Sequence, residues 1–321
     1  MSYSQRMQRN LIETAYYAPR GRERMYDLGM QMGQMYLSPY DRLIGFIGDA
    51  GSGKSALIHG MFPGLELTND DDGVNVRPLP ILDVTEEHGF YTPHTYHLDI
   101  RFEMGFTQPH ILAEAIMDAI GMGKRVIVEH FDLIRPLLPR NADLLIGVGE
   151  QVLVTRPTMF GPEPAELVEV VHKSLRYRLM AHTAEDLCSI HMGPELMKVC
   201  HHDDIHHGFV LAFYEHPPQI DLAELEEMVK NDIKSDLPVT YADDSHILVG
   251  SYEKHLCSGP RMHVISTGSI EGFRLYPEII FDNQRNRYLL VGFVGENSGE
   301  SIQKLKNNLQ PPEMMSPFIY Q

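Results

Sequence analysis

"RLIGFIGDAGSGKSALIHGMF", residues 42–62, decides how the first half of this chain is read. An apolar run at 43–47 enters a glycine-rich turn, and a helix-forming run leaves it. The spacing is Gly48, four residues, then Gly53-Lys54-Ser55, that of a phosphate-binding loop. Its glycines allow successive backbone N–H groups to curl round a phosphate without Cβ clashes. The new helix adds the positive end of its dipole at the same spot. The residues expected to hold a nucleotide are Gly48, Asp49, Ala50, Gly51, Ser52, Gly53, Lys54, Ser55 and Ala56. Lys54 is expected to reach the β- and γ-phosphates of ATP, and the Ser55 hydroxyl to ligate Mg²⁺.

The chain has 321 residues, which exceeds the usual single-domain size and makes two domains the default. An apolar content of 43% supports real cores. The longest apolar runs have strand length, and "MSYSQRMQRN" has no signal-peptide core, so a cytoplasmic protein with no membrane partner is expected. Cys188, Cys200 and Cys257 are few and odd in number, which fits a reducing compartment better than a disulfide framework. A net charge of −17 argues against broad binding to nucleic acid. One local exception is the stretch 1–24, where Arg6, Arg9, Arg20, Arg22 and Arg24 accompany Tyr16 and Tyr17. Such an arm grips phosphates and stacks on bases, or serves as a solvated helix or subunit-docking arm.

Four segments follow from the patterning: a basic, helical arm at 1–40, a nucleotide-binding domain at 41–160, a second domain at 161–297 and a tail at 298–321. Between 41 and 155, strand-like runs alternate with helical ones. The pattern predicts an α/β domain with a mainly parallel sheet and helices on both faces. "PHILAEAIMDAIGMGK" (109–124) is an amphipathic helix opened by proline and closed by glycines. "HTYHLDIRFEM" (94–104) alternates like a strand, and "RVIVEHFDLI" (125–134) reads as a buried one. The proline-rich stretch at 155–163 marks the expected boundary. The second domain reads as α+β: a helix at 164–187, a His-rich loop "CHHDDIHH" (200–207), a strand, a helix at 221–237 and a terminal hairpin. The arm and the tail, with its extended Met/Phe/Tyr end, offer contacts to a second copy in a homo-oligomer.

Phosphoryl transfer needs carboxylates that hold Mg²⁺ through water or orient the attacking group. Three candidates close strands: one of Asp70-Asp71-Asp72, nominally Asp71; Asp99 in "YHLDIRF"; and Glu129 in "VIVEHFD". Open parallel sheets put ligands beyond the carboxyl ends of strands, where these acids fall.

Two resemblances bear on this half. "HTYHLDIRFEMGF" followed by "KRVIVEHFDLIRPLLP" resembles the small bacterial ATPase of tRNA threonylcarbamoylation, with His97-Leu98-Asp99-Ile100-Arg101 and Glu129-His130 as counterparts of its motifs. Ser55 replaces a threonine of that family, Arg101 comes one place early and His130 replaces a tryptophan. "TNDDDG" (68–73) and the 124–139 stretch also look like a uridine-kinase-type phosphotransferase, which implies an acid positioning the hydroxyl to be phosphorylated.

"AHTAEDLC" (181–188) resembles the metal-binding helix of the second additional domain of alanyl- and threonyl-tRNA synthetases. The later stretches "HHGFVLAFYEH", "DLAELEEMVKNDIKSDLPV" and "HLCSGPRMHVISTGSIEGFRL" follow in that domain's order. The resemblance covers about 165–295 and implies a domain recognising an aminoacyl, nucleoside or tRNA-end-like ligand. The family's His-x-x-x-His and Cys-x-x-x-His become His182 with Asp186, and Cys257 with Arg261, His263 following two places later. These four, His182, Asp186, Cys257 and His263, are expected to converge. Carboxylate is an acceptable Zn²⁺ ligand. Arg261 at a ligand position would disfavour the cation, so an anion is the expected occupant and a deacylase the alternative. "CHHDDIHH" is a further metal candidate.

The expected activity is ATP- and Mg²⁺-dependent phosphotransfer or ATP hydrolysis. A non-catalytic nucleotide-switched module is the rival, and a freestanding deacylase with an attached ATPase the third reading.

Overall fold

The computed structural model describes residues 13–67, 79–83 and 93–309, and the chain divides into two compact units, Met1–Arg176 and Tyr177–Gln321. Asp71, Arg6, Arg9 and the Met/Phe/Tyr end of the tail lie outside the described residues.

Parallel strands buried on both faces need helices above and below them, and the first unit meets that need. Its sheet runs in the order β1 (Glu13–Tyr17), β6 (Gln151–Thr155), β5 (Leu144–Val148), β2 (Leu43–Ile47), β4 (Arg125–Glu129), β3 (Thr95–Asp99). Strands β3, β4, β2 and β5 are parallel, β6 runs antiparallel to β5, and β1 pairs antiparallel with β6, returning to the direction of the parallel set. Every residue of β2 and β5 is buried. One face is covered by α1 (Arg22–Tyr36) and α2 (Lys54–Met61), whose Met25, Met32, Leu57 and Ile58 pack on Ile44, Phe46 and Ile146. The other takes α4 (Pro109–Gly121) and the start of α6 (Pro164–Met192), with Leu112, Ile116 and Leu167 packed among Leu43, Leu98 and Val128. Helices α1 and α2 cross at backbone contact: a Cβ on Gly60 would lie 2.0 Å from the Tyr26 carbonyl oxygen.

Several boundaries differ from the sequence reading, each for a local reason. The arm expected to be helical enters as strand β1 before α1 begins, because β6 leaves an edge that β1 pairs with from Glu13 to Tyr17. The strand expected across 94–104 stops at Asp99, whose carboxylate accepts the Phe102 N–H and starts the single turn α3 (Ile100–Glu103). The run at 125–134 likewise turns after Glu129: His130 is left-handed (φ 55°) and opens α5 (Phe131–Ile134). The two units divide inside α6, whose Leu167 joins the first core and whose Leu187 and Cys188 join the second.

In the second unit, residues 181–189 of α6 are all buried, which explains the absence of a one-sided apolar stripe there. This segment, α8 (Leu222–Lys234) and β8 (Gly208–Phe213) share one core, with Ala184, Leu187, Phe209, Leu211, Leu225 and Val229. One antiparallel sheet has the order β12 (Arg274–Leu275), β14 (Arg287–Phe293), β8, β7 (Cys200–Ile205), with β13 (Ile280–Asp282) also on β14. A second joins β11 (His255–Leu256), β10 (His246–Val249) and β9 (Val239–Asp243). The short α7 (Pro194–Met197) follows α6, and α9 (Ser298–Leu309) packs on the outer face of β14, beside Val291 and Phe293. The stretch expected as a His-rich loop is strand β7, so its side chains alternate between faces. His202 pairs with the buried Glu185 and Asp203 with Arg287, which divides the cluster expected to gather a metal. Among the described residues, no helix is long and apolar enough to cross a membrane.

Candidate functional site

The loop 48–53 leaves the carboxyl end of β2 and turns directly into α2. Gly51 and Gly53 sit at φ 80° and 94°, a region side chains avoid, and Gly53 is the residue that opens the helix. Lys54 follows at the first helical position and is buried, its Nζ donating to the carbonyls of Gly48 (3.0 Å) and Asp49 (2.9 Å). Ser52 is buried beneath the loop, while Ala50 and Gly51 are exposed at its tip. Asp49 lies 3.5 Å from His172 of α6, both half-exposed.

Topology brings an acid to this loop. Strand β4 is the immediate neighbour of β2, so its last residue, Glu129, ends beside the start of α2. Glu129 Oε1 accepts the Ser55 hydroxyl at 3.2 Å, and Oε2 stands 3.6 Å from Lys54 Nζ. The same Oε1 lies 3.2 Å from His97 Nε2, which must carry the proton in that contact. His97 and Glu129 are both almost fully buried. Burial by itself would raise the Glu129 pKa. The hydrogen bond and charge of His97, with the charges of Lys54 and His130, outweigh it and hold the group at about 2. Glu129 is therefore a fixed carboxylate at neutral pH. His130 is driven the other way: burial and Lys54 lower its pKa against the opposing pull of Asp99, Glu129 and Asp132.

Asp99 has a different position. It is in register with Glu129 but one strand further from β2, and its Oδ1 caps α3. The structure brings Lys54, Ser55 and Glu129 together and leaves Asp99 at the rim. The sequence reading missed the direct contact between His97 and Glu129. Strand alternation puts His97 and Asp99 on one face of β3, so the signal was present, but the partner strand was not.

The second unit has its own cluster. His182 and Asp186 lie one turn apart on the buried stretch of α6, and Cys257 and His263 come from the loop after β11. Their ligand atoms all fall within 4.8 Å of one another. Cys257 Sγ is 3.2 Å from His182 Nε2 and 3.8 Å from His263 Nε2. Asp186 Oδ2 is 2.8 Å from His263 Nε2 and 3.6 Å from His182 Nε2. Bonds of about 2.0–2.3 Å to a tetrahedral zinc imply ligand–ligand edges of about 3.3–3.6 Å, and the four distances bracket that range. His263 Nδ1 lies 3.2 Å from the Pro260 carbonyl and donates to it, so in the neutral ring Nε2 faces Asp186 as a lone pair. Two acceptors at 2.8 Å require a proton or a cation between them. The Gly259 N–H points at Cys257 Sγ from 3.3 Å.

Arg261 departs from its expected position. Its guanidinium lies over the Tyr241 ring, 5.2 Å from the centroid, and 3.9 Å from Asp244, with half of the side chain exposed. His263, not Arg261, fills the fourth place. The repulsion expected from sequence assumed an inward-facing arginine, which the short Ser258–Met262 turn prevents by carrying position 261 outward. No protein-family model and no curated protein matches the sequence.

Proposed function

We propose that the first unit binds ATP with magnesium and transfers its γ-phosphate, with the loop 48–55 as the phosphate site. The observation that carries this reading is the Ser55–Glu129–Lys54 contact. A hydroxyl, a permanent carboxylate and a lysine meet where a glycine-rich loop enters a helix. These residues fit the ligand. Lys54 would leave its loop carbonyls for phosphate oxygens, Ser55 Oγ would ligate the cation, and Glu129 would receive a cation-bound water. The cation supplies charge neutralisation for the transferred group. Asp99 closes the neighbouring strand and His130 follows Glu129 directly, and in this reading these two would meet the acceptor and take the proton from its hydroxyl.

The test is an ATP-consumption screen across nucleosides, amino acids and tRNA, with Lys54→Ala as control. Consumption only with a nucleoside or similar hydroxyl acceptor supports phosphotransfer. Steady turnover without an acceptor assigns an ATPase, and tight binding without turnover a switch. Unchanged nucleotide affinity in a folded Lys54→Ala protein would remove the phosphate site altogether.

For the second unit we propose a pocket of the synthetase-editing type, for an aminoacyl, nucleoside or tRNA-end-like ligand, built round His182, Asp186, Cys257 and His263. Their spacing and the outward Arg261 support a divalent cation of the zinc class over an anion, with the cation polarising a ligand carbonyl or phosphate oxygen.

A further inference from the structure

His97 is buried in the middle of β3, the edge strand beside β4 among the described residues, and the loop reading gives it no task. A polar ring in such a position needs a partner, and that partner is Glu129 Oε1 at 3.2 Å. Three groups hold the Glu129 carboxylate: Ser55 Oγ, Lys54 Nζ and His97 Nε2. Two of them belong to the phosphate loop and have other work once a nucleotide is present. Lys54 would then face phosphate oxygens, and the lone pairs of Ser55 Oγ would face the cation. His97 belongs to a strand and cannot follow the loop.

We propose that His97 is a positioning residue that keeps the Glu129 carboxylate aimed at the cation place when Ser55 and Lys54 turn to the nucleotide. It acts through Glu129 and touches neither phosphate nor metal. The proposal rests on the phosphate-site reading given above. Its chemical content is one N–H donor at fixed reach: without it, the buried carboxylate is held only by groups of the loop and the cation shell, and Oε1 loses the one partner, among the carboxylate's three contacts, that is anchored in the sheet. A hydrogen bond to a charged group is worth roughly 10- to 100-fold in an equilibrium constant. That factor should fall on metal affinity and leave nucleotide affinity without metal nearly unchanged.

The experiment measures Mn²⁺ binding to the full-length protein saturated with a non-hydrolysable ATP analogue, by calorimetry, and analogue binding in EDTA alongside it. His97→Leu should weaken Mn²⁺ by roughly 10- to 100-fold and leave binding in EDTA within about threefold. His97→Gln, which keeps an N–H donor of similar reach, should restore Mn²⁺ affinity to within about threefold of wild type. In a Glu129→Gln background, His97→Leu should add no further loss, because the two residues act as one unit. If His97→Leu does not fold, His97→Asn, a donor too short to reach Oε1, should show the same metal defect. Wild-type Mn²⁺ affinity in the Leu or Asn variant overturns the proposal. So does a Gln variant as defective as Leu, or an equal loss of binding in EDTA. Wild-type protein that binds the analogue in neither condition would instead refute the phosphate site, and the positioning role would go with it.

Discussion

Replacing Glu129 by glutamine isolates the charge at the centre of the candidate site while keeping its shape. In the folded protein this carboxylate sits at about 2 against an ordinary 4.5. A depression of that size corresponds to about 3 kcal/mol of folding stability, to order of magnitude. The contribution is fully present above the unfolded value of 4.5 and is lost as pH falls through the folded value. Stability should therefore fall more steeply in wild type than in Glu129→Gln below about pH 4.5, by up to 1.4 kcal/mol per pH unit. Above pH 5 the difference between the two proteins should be constant. The chain has no tryptophan, so urea unfolding is best followed by far-UV circular dichroism, at pH values from 7 down to 3.5. Two curves that stay parallel through the acid range would refute the coupling of Glu129 to His97 and Lys54. The assay needs no nucleotide and tests the apo geometry directly.

The second unit gives a compositional prediction: protein purified without chelator should carry about one zinc per chain by elemental analysis, lost in Cys257→Ala and retained in Arg261→Ala. Metal-free wild type, or zinc that survives Cys257→Ala, would return the pocket to an anion or a structural role. Gly60→Ala puts a methyl 2.0 Å from the Tyr26 carbonyl oxygen and must push α2 off α1. A loss of about 1–3 kcal/mol or more in urea unfolding is expected, and a loss below 0.5 kcal/mol would mean that the helices are not in backbone contact.

Much of this protein is legible in its sequence because the determining interactions are local. The loop at 48–53 is written in glycines that must adopt positive φ, and helix α4 in a proline start and a glycine stop. Helix α8 is written in its Asp221 cap, whose carboxylate accepts from Ala223 and Glu224. The pairing of His182 with Asp186 was legible in helical spacing, whereas their meeting with Cys257 and His263 was expected only through the resemblance to the synthetase domain. Where local signals competed, boundaries moved: Asp99 ended a strand that alternation would have continued, and the alternating pattern of 200–205 was hidden by its histidines.

The sequence by itself determined that a strand, a glycine loop and a helix follow one another, and that acids close two later strands. Only the tertiary structure decided which acid lies beside the loop. Strand order is a non-local quantity, set by which apolar faces pack together, and nothing in residues 95–99 or 125–129 states which strand will lie against β2. With β4 in that place, Glu129 reaches Ser55 while Asp99, one strand further out, caps a helix turn. The same holds for Arg261 and His263. Both were candidates for one position by count, and the direction of a turn five residues long left His263 facing inward and Arg261 facing solvent.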